Sequence, residues 1–515
     1  MHEFIAWHSG GLALERSPRG IELIEERPMR AAGIAMVWKL VQMGGVKVIY
    51  MVRLFVLAIL LSPADFGLVA IATSATGFLL GLTNVGLIPA VVQAKDVDDE
   101  KYAAAWTFDV SRSFIVAALT IIFAPVIADI FAEPMAIPII QALALRPLIE
   151  SLMSIKVAAL NRNLTFRPLA YLRIVEAIFN AVISIAFAKS AGVWALVYGP
   201  IAGALAMITA SYILAPYRPR ISFNWSAVKP LMTFGGWILA TSLVAMAGNY
   251  GLRIVISRQL GSDALGLYFI AAQLAYLPSE VANEAVGAVA FPLFARLQDS
   301  VTQATRVFRT LYSGLTAVLY PACALLIVLA PTLIHDVLGP EWSGTDDVIR
   351  VLSLVVMIGI FGEVAVSVFK GFGQPYRITM LEVIQSTVTI TSVWFLTSRF
   401  GLVGAALARV PAICLSQLLC IRSILTLLDH PFRGLRNTIL AILAATVIGT
   451  VVAMTVSNFV PGVMGLIVAV VLSALSTISF LWVADRYYRL GFVHDLALVF
   501  PQFAAYVGLV PTETK

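Results

Sequence analysis

The sequence predicts an all-α integral membrane protein of about fourteen transmembrane helices. Two pseudo-symmetric six-helix bundles are expected around a central cavity, with two further helices at the C-terminal end. Three observations predict it. The 515 residues are 60% hydrophobic and only 12% charged, with a mean hydropathy of +0.92. Soluble domains carry ~25% charged residues, so a water-facing surface of ordinary charge density cannot be assembled from this chain. Many apolar runs reach the ~20 residues that cross a bilayer, and a segment near the start recurs mid-chain.

Taken in order, the spanning runs lie at 34–60, 66–93, 105–131, 136–160, 168–188, 192–214, 233–257, 264–292, 308–333, 347–369, 378–398, 403–426, 437–459 and 462–484. Turn chemistry falls between them: Ser62-Pro63-Ala64-Asp65, Glu133-Pro134, Gly339-Pro340-Glu341, Gly373-Gln374-Pro375 and Pro461-Gly462. Lys and Arg give an independent test, because they took no part in placing the runs. With the N-terminus cytoplasmic, the inner segments hold twenty-one of them, including Arg162, Arg218, Arg296 and Lys370. The outer loops then hold Lys189, Arg258 and Arg399 alone. Such asymmetry places both termini inside.

Ser62-Pro63-Ala64-Asp65-Phe66-Gly67-Leu68 returns 199 residues later as Gly261-Ser262-Asp263-Ala264-Leu265-Gly266-Leu267. Each copy follows a helix led by paired glycines, Gly44-Gly45 and Gly235-Gly236. The repeat unit is therefore six helices in parallel orientation, the layout of transporters that bind substrate between their repeats. The division that follows is a polar leader at 1–33, an N-terminal lobe at 34–216, a cytoplasmic linker at 217–232 and a C-terminal lobe at 233–427. Helices thirteen and fourteen occupy 428–484 and a tail 485–515. The leader lacks the apolar core and cleavage site of a signal peptide, so the first membrane helix serves as the signal. Met29 is expected to be a functional start.

Several chemistries are excluded or set aside. The net charge of +6 is spread in ones and twos with no basic stripe, so no nucleic-acid partner is expected. Cys323, Cys414 and Cys420 lie in apolar runs and suggest neither disulfide nor zinc site. Asp96-Val97-Asp98 has the spacing of metal-diphosphate carboxylates but sits in a short inner loop and reads as a solvated acidic turn. The five histidines form no catalytic constellation, and neither a metal nor an enzyme is expected. Gly77-x-x-x-Gly81 and Gly199-x-x-x-Gly203 read as close helix packing, and Lys370-Gly371-Phe372-Gly373 as a turn.

Charges inside the spans are the informative residues, since each costs several kcal/mol unless it faces protein or water. Asp109 with Arg112, Glu150 with Arg146 and Glu176 with Arg173 have the spacing of pairs along one helix. Lys39, Lys47 and Arg53 on the first helix and Arg253 on the seventh have no local acid, and the first three share one helical sector. Glu280, Glu284 and Glu363 are carboxylates deep in the eighth and tenth helices. They are candidates for coupling to a proton or sodium gradient, with Arg253 as the neighbour expected for the first two.

Certain segments together resemble the polysaccharide biosynthesis or export flippases of the multidrug/oligosaccharidyl-lipid/polysaccharide transporter superfamily. They are Leu61 to Ala70, Gln93-Ala94-Lys95-Asp96 leading to Ala105-Trp106, Leu160-Asn161-Arg162-Asn163-Leu164-Thr165-Phe166-Arg167, Gly192-Val193-Trp194-Ala195-Leu196-Val197, Phe291-Pro292-Leu293-Phe294-Ala295-Arg296 and Gly401-Leu402-Val403-Gly404. Leu252 stands where family members often carry an acid, so no ion-coupling role transfers to that position. The resemblance implies a flippase of the bacterial inner membrane. It would move an undecaprenyl-diphosphate-linked oligosaccharide by alternating access, among membrane lipids and alongside the polysaccharide polymerase machinery. Against that cargo, Lys47, Arg53 and Arg253 are expected to hold the diphosphate, with Arg112, Arg146 and Arg173 in reserve. A glycan polymerase or transferase, a lipid II flippase and a drug exporter are the alternatives. The polymerase reading is disfavoured by the longest outer loop, about Ile334 to Asp346, which carries one His and no Lys or Arg.

Overall fold

The computed structural model describes residues 38, 42–83, 99–162, 165–224 and 236–488. Helices, numbered in chain order, are α1 Gln42–Leu60, α2 Pro63–Thr83, α3 Asp99–Ile130, α4 Ile137–Leu143, α5 Leu145–Ser151, α6 Val157–Arg162, α7 Phe166–Ala191 and α8 Ala195–Leu214. After these come α9 Gly236–Arg296, α10 Val301–Thr332, α11 Thr345–Gly371, α12 Pro375–Leu407, α13 Arg409–Leu425, α14 Leu435–Phe459 and α15 Gly462–Tyr488. Among the described residues, ten stretches are long and apolar enough to cross a membrane. Their outer faces are apolar, with Ile122 67% and Phe395 64% exposed. Such side chains ringing the molecule belong against lipid rather than water. The chain is an all-α, multi-pass membrane protein.

Glycine makes several of the turns between adjacent spans. Gly261 (φ 87°, ψ 177°) breaks α9 into two arms, where the sequence places the boundary between its seventh and eighth spans. Gly192 (φ 56°, ψ −129°) and Gly401 (φ 57°, ψ −138°) turn the chain in nearly identical fashion, one before α8 and one near the end of α12. Residues with a Cβ rarely adopt these angles. The matched pair shows the internal repeat reaching as far as the fifth-to-sixth and eleventh-to-twelfth connections.

One expectation is corrected. The run 136–160 is read from sequence as a single span, yet it forms α4, α5 and α6. Pro147 has no N–H for the Leu143 carbonyl and its ring crowds that oxygen, so the helix steps at Ala144. The chain then turns at Ser154. Its N–H donates to Ser211 Oγ (3.1 Å) and its Oγ to the Ala215 carbonyl (2.6 Å), tying the turn to the end of α8.

The expected small-residue contacts are present. Gly77 and Gly81 of α2 leave no room for a Cβ against Tyr250 and Met246 of α9, and Gly199 and Gly203 of α8 pack on α7. The Lys370 segment is a turn, with Gly373 at φ 68°. Helices α14 and α15 stand outside the repeat and attach through α10, where Leu329, Ala453 and Ala469 form a small buried cluster.

Buried apolar residues reveal how the two repeated halves meet. One large cluster joins Leu57, Phe66 and Ile71 from the first half to Leu252, Ile256, Leu265 and Trp342 from the second. At the opposite end the described cores are separate: Tyr102, Ala105 and Ile155 in one half, Phe294, Phe308 and Phe369 in the other. The halves therefore share a core at the Trp342 end and have their own cores at the far end. Leader residues 1–33, Lys39 and Asp96-Val97-Asp98 lie outside the described residues.

Candidate functional site

Between the halves lies a cavity of about 580 Å³, lined by α1, α2, α4, α5, α7, α8 and the second arm of α9. A second of about 370 Å³ adjoins it, formed by α2, both arms of α9 and α13. Thr73, Phe269, Gln273 and Glu280 line both, so the two are chambers of one space. Each lies within the ~300–1,000 Å³ of small-molecule sites, which suits a polar headgroup rather than a whole lipid.

Helical spacing carries the cations of α1 into the larger chamber. Lys47, Tyr50 and Arg53 fall on one face and all three line it, as do Arg146 and Glu150 from α5. Lys47 Nζ meets Glu280 Oε2 at 2.5 Å, an ion pair joining the first half to the second. Arg53 Nε donates to Ser184 Oγ at 3.0 Å. Arg146 Nε lies 2.8 Å from Glu150 Oε1, and its Nη2 lies 3.9 Å from Glu176 Oε1.

The buried Glu176 departs from its expected partner. Tyr50 donates to both of its oxygens at 2.7 Å, and Asn180 Nδ2 approaches at 3.4 Å. Arg173 points instead to the Met207 sulfur at 3.8 Å. A tyrosine on another helix and a nearby guanidinium outcompete the i−3 neighbour because together they satisfy the carboxylate in a buried setting. Asp109 and Arg112 do pair as expected, at 2.8 Å, but Arg112 is not among the lining residues of either chamber.

Arg253 is separated from the α1 cations and lines the smaller chamber. It donates to Ser74 Oγ at 2.8 Å and lies 5.8 and 5.9 Å from the ring centres of Tyr250 and Phe269. Glu280 is thus met by Lys47, where the sequence leads to the expectation of Arg253. Glu284 is exposed one turn farther along α9. Glu363 of α11 lies beside Asn283 of α9 and lines neither chamber.

Arg409 is the residue that sequence reasoning missed. Its Nη2 donates to Asn249 Oδ1 at 2.6 Å and its Nε to the Tyr268 hydroxyl at 3.1 Å, with Tyr276 beneath it at 5.7 Å. The signal was present: an arginine with no acid nearby inside an apolar run faces protein or a cavity by default.

Two repeated helical bundles enclosing a charged cavity within an apolar exterior define a multi-pass transporter fold. Solved structures with this fold include a lipid II flippase, MurJ, in an inward closed conformation, at TM-score 0.70 and 13% identity over 88% of this chain and 99% of that one. An inward-facing multidrug resistance MATE family transporter of the MOP superfamily matches at TM-score 0.58 and 16% identity, over 76% and 98%. The family model described as polysaccharide biosynthesis protein matches residues 56–347, more than half of the chain, and the chain belongs to that family. Among its relatives, the lipopolysaccharide biosynthesis protein WzxC of Escherichia coli is 23% identical over 61% of this chain and 64% of its own length. The succinoglycan biosynthesis transport protein ExoT of Rhizobium meliloti is 24% identical over 69% and 72%. The chain thus spans about two thirds of the length of these relatives.

Proposed function

We propose that this protein is a flippase, not an enzyme. Its cargo is an undecaprenyl-diphosphate-linked oligosaccharide repeat unit, carried from the cytoplasmic to the periplasmic leaflet of the bacterial inner membrane for surface polysaccharide synthesis. The observation that carries the reading is the charged cavity at the junction of the two halves. A diphosphate cannot enter a bilayer without fixed groups replacing its hydration, and Lys47, Arg53, Arg146 and Arg253 face the space it would occupy. Relatives named for lipopolysaccharide and succinoglycan synthesis support a glycan cargo.

Orientation follows from charge. Arg162, Arg218, Arg296 and Lys370 belong to the cytoplasmic side, which puts both termini in the cytoplasm and the shared core at the periplasmic end. Separate cores at the other end suit a conformation ready to receive cargo from the cytoplasm. Glu280, Glu284 and Glu363 are the carboxylates for coupling to protons or sodium, and Glu280→Gln/Glu284→Gln should flatten the dependence of export on pH or sodium. The polymerase machinery receives the product.

Deleting the gene and extracting membrane lipids tests the function. A lipid-linked oligosaccharide should accumulate in the cytoplasmic leaflet, identified by mass spectrometry. Accumulation of lipid II alone would favour the lipid II reading, and unchanged glycolipids would end the flippase assignment.

A further inference from the structure

The two chambers differ in charge. In the larger one, Lys47, Arg53 and Arg146 are matched by Glu280, Glu150 and the adjoining Glu176, with Lys47 and Arg146 in direct ion pairs. Three positive and three negative side chains leave it close to neutral. Its remaining polar lining is hydroxyl and amide: Tyr50, Thr73, Thr76, Asn180 and Gln273. Such groups suit the hydroxyls of an uncharged sugar.

The smaller chamber is built differently. Arg253 and Arg409 are held by a serine, an asparagine, a tyrosine and aromatic faces. These contacts orient the guanidiniums without neutralising them. Among the described residues, neither arginine forms an ion pair. Glu280, the carboxylate in the lining, is engaged by Lys47 at 2.5 Å. Glu382 lies near enough for its field to reach Arg409 but is outside the lining. A guanidinium has five N–H donors, and these contacts use one on Arg253 and two on Arg409. Two cations with donors to spare, inside a membrane protein, call for an anion.

We propose that Arg253 and Arg409 form the diphosphate site, and that the saccharide occupies the larger chamber. The proposal rests on the flippase reading for its cargo and moves the anchor from Lys47 and Arg53 to the second half. The planar fork of arginine fits phosphate oxygens two at a time, and a diphosphate supplies one phosphoryl group for each guanidinium. Lys47 then stays with Glu280 as a strut between the halves.

The test uses the full-length protein in detergent, titrated with inorganic pyrophosphate and with geranylgeranyl diphosphate. Geranylgeraniol is the uncharged control and phosphatidylglycerol the competitor. Arg253→Gln/Arg409→Gln should weaken both diphosphates by about tenfold or more, whereas Asp109→Asn/Arg112→Gln, an ion pair outside both chambers, should stay within about twofold of wild type. Arg253→Lys/Arg409→Lys, which keeps the charge and loses the fork, should bind between wild type and the glutamine variant, and a wild-type thermal midpoint for both variants reports an intact fold. Unchanged binding in the Arg253→Gln/Arg409→Gln variant, or an equal loss on neutralising Asp109 and Arg112, overturns the assignment. So does full displacement by phosphatidylglycerol, which would make this a general lipid-headgroup site. If wild type binds neither diphosphate while gene loss still accumulates a lipid-linked glycan, the chamber assignment fails and the flippase stands. If the arginines bind diphosphate and no glycan accumulates, the site stands and the flippase reading fails.

Discussion

Gly67 and Gly266 occupy equivalent positions in the two repeats, and each presses on the backbone of the other half. Gly67 abuts the Ser262 carbonyl and Gly266 abuts the Pro63 carbonyl, while a Cβ on Gly266 would lie 3.0 Å from the Gly67 nitrogen. Pro63 and Ser262 are related by the same 199-residue shift. A second reciprocal pair lies beside it: Trp342 Nε1 donates to the Ala58 carbonyl at 2.9 Å, and Ser257 Oγ donates to the Phe131 carbonyl at 2.7 Å. Positions 58 and 257 also differ by 199. The repeat thus generates a two-fold seam that closes one end of the cavity.

Gly67→Ala and Gly266→Ala should each strain this seam, because the obstructing atoms are backbone. Overpacking of this kind costs about 1–3 kcal/mol. The measurement is the thermal unfolding midpoint of full-length protein in detergent. Wild-type midpoints for both variants would mean that the backbones can part at no cost.

Trp342 is 1% exposed and packs edge-on against Phe66, with ring centres 5.4 Å apart. Trp342→Ala should destabilise by about 3–5 kcal/mol. Trp342→Phe keeps most of the packing, loses the bond to Ala58 and should cost about 0.5–1.5 kcal/mol for that bond. Equal losses in the two variants would assign the whole effect to the hydrogen bond.

Lys47 and Glu280 pair across the halves, so reversing either charge places like charges together. Lys47→Glu and Glu280→Lys should each impair glycan export, and the double exchange should restore a substantial part of it. No recovery in the exchange, with normal membrane insertion, would remove the pair as a strut.

Topology is tested by fusion. Alkaline phosphatase joined after Trp342 should be active and after Arg220 inactive, as the Lys and Arg distribution requires. The reverse pattern would invert the molecule and exchange the receiving face for the releasing one.

Much of the fold was legible because lipid imposes a strong signal. Runs of spanning length and a glycine or proline between them locate most helices, and the 199-residue repeat foretells the seam glycines. Pro147 was visible as well, yet it lies in a stretch apolar enough overall to read as one span, and hydropathy is blind to a break that stays within the membrane. The site was less legible for a geometric reason. Spacing along one helix finds Asp109 with Arg112 and Glu150 with Arg146, but the partner of Glu176 is Tyr50, 126 residues away, and that of Lys47 is Glu280, 233 away. Arg409 was overlooked because its ligands, Asn249 and Tyr268, are 160 and 141 residues distant.

The core that crosses between the halves leaves the molecule with unequal ends. Parting the halves beside Trp342 would bare Leu57, Ile71, Leu252, Ile256 and Leu265, each at 0% exposure. At about 25 cal/mol per Å² of apolar surface, that movement needs an offset. Phe78 (38%) and Leu82 (41%) on α2, and Val281 (41%) and Phe291 (46%) on α9, are apolar side chains left exposed toward the other ends of the same helices. Burying them in the opposite movement would return part of what the seam gives up.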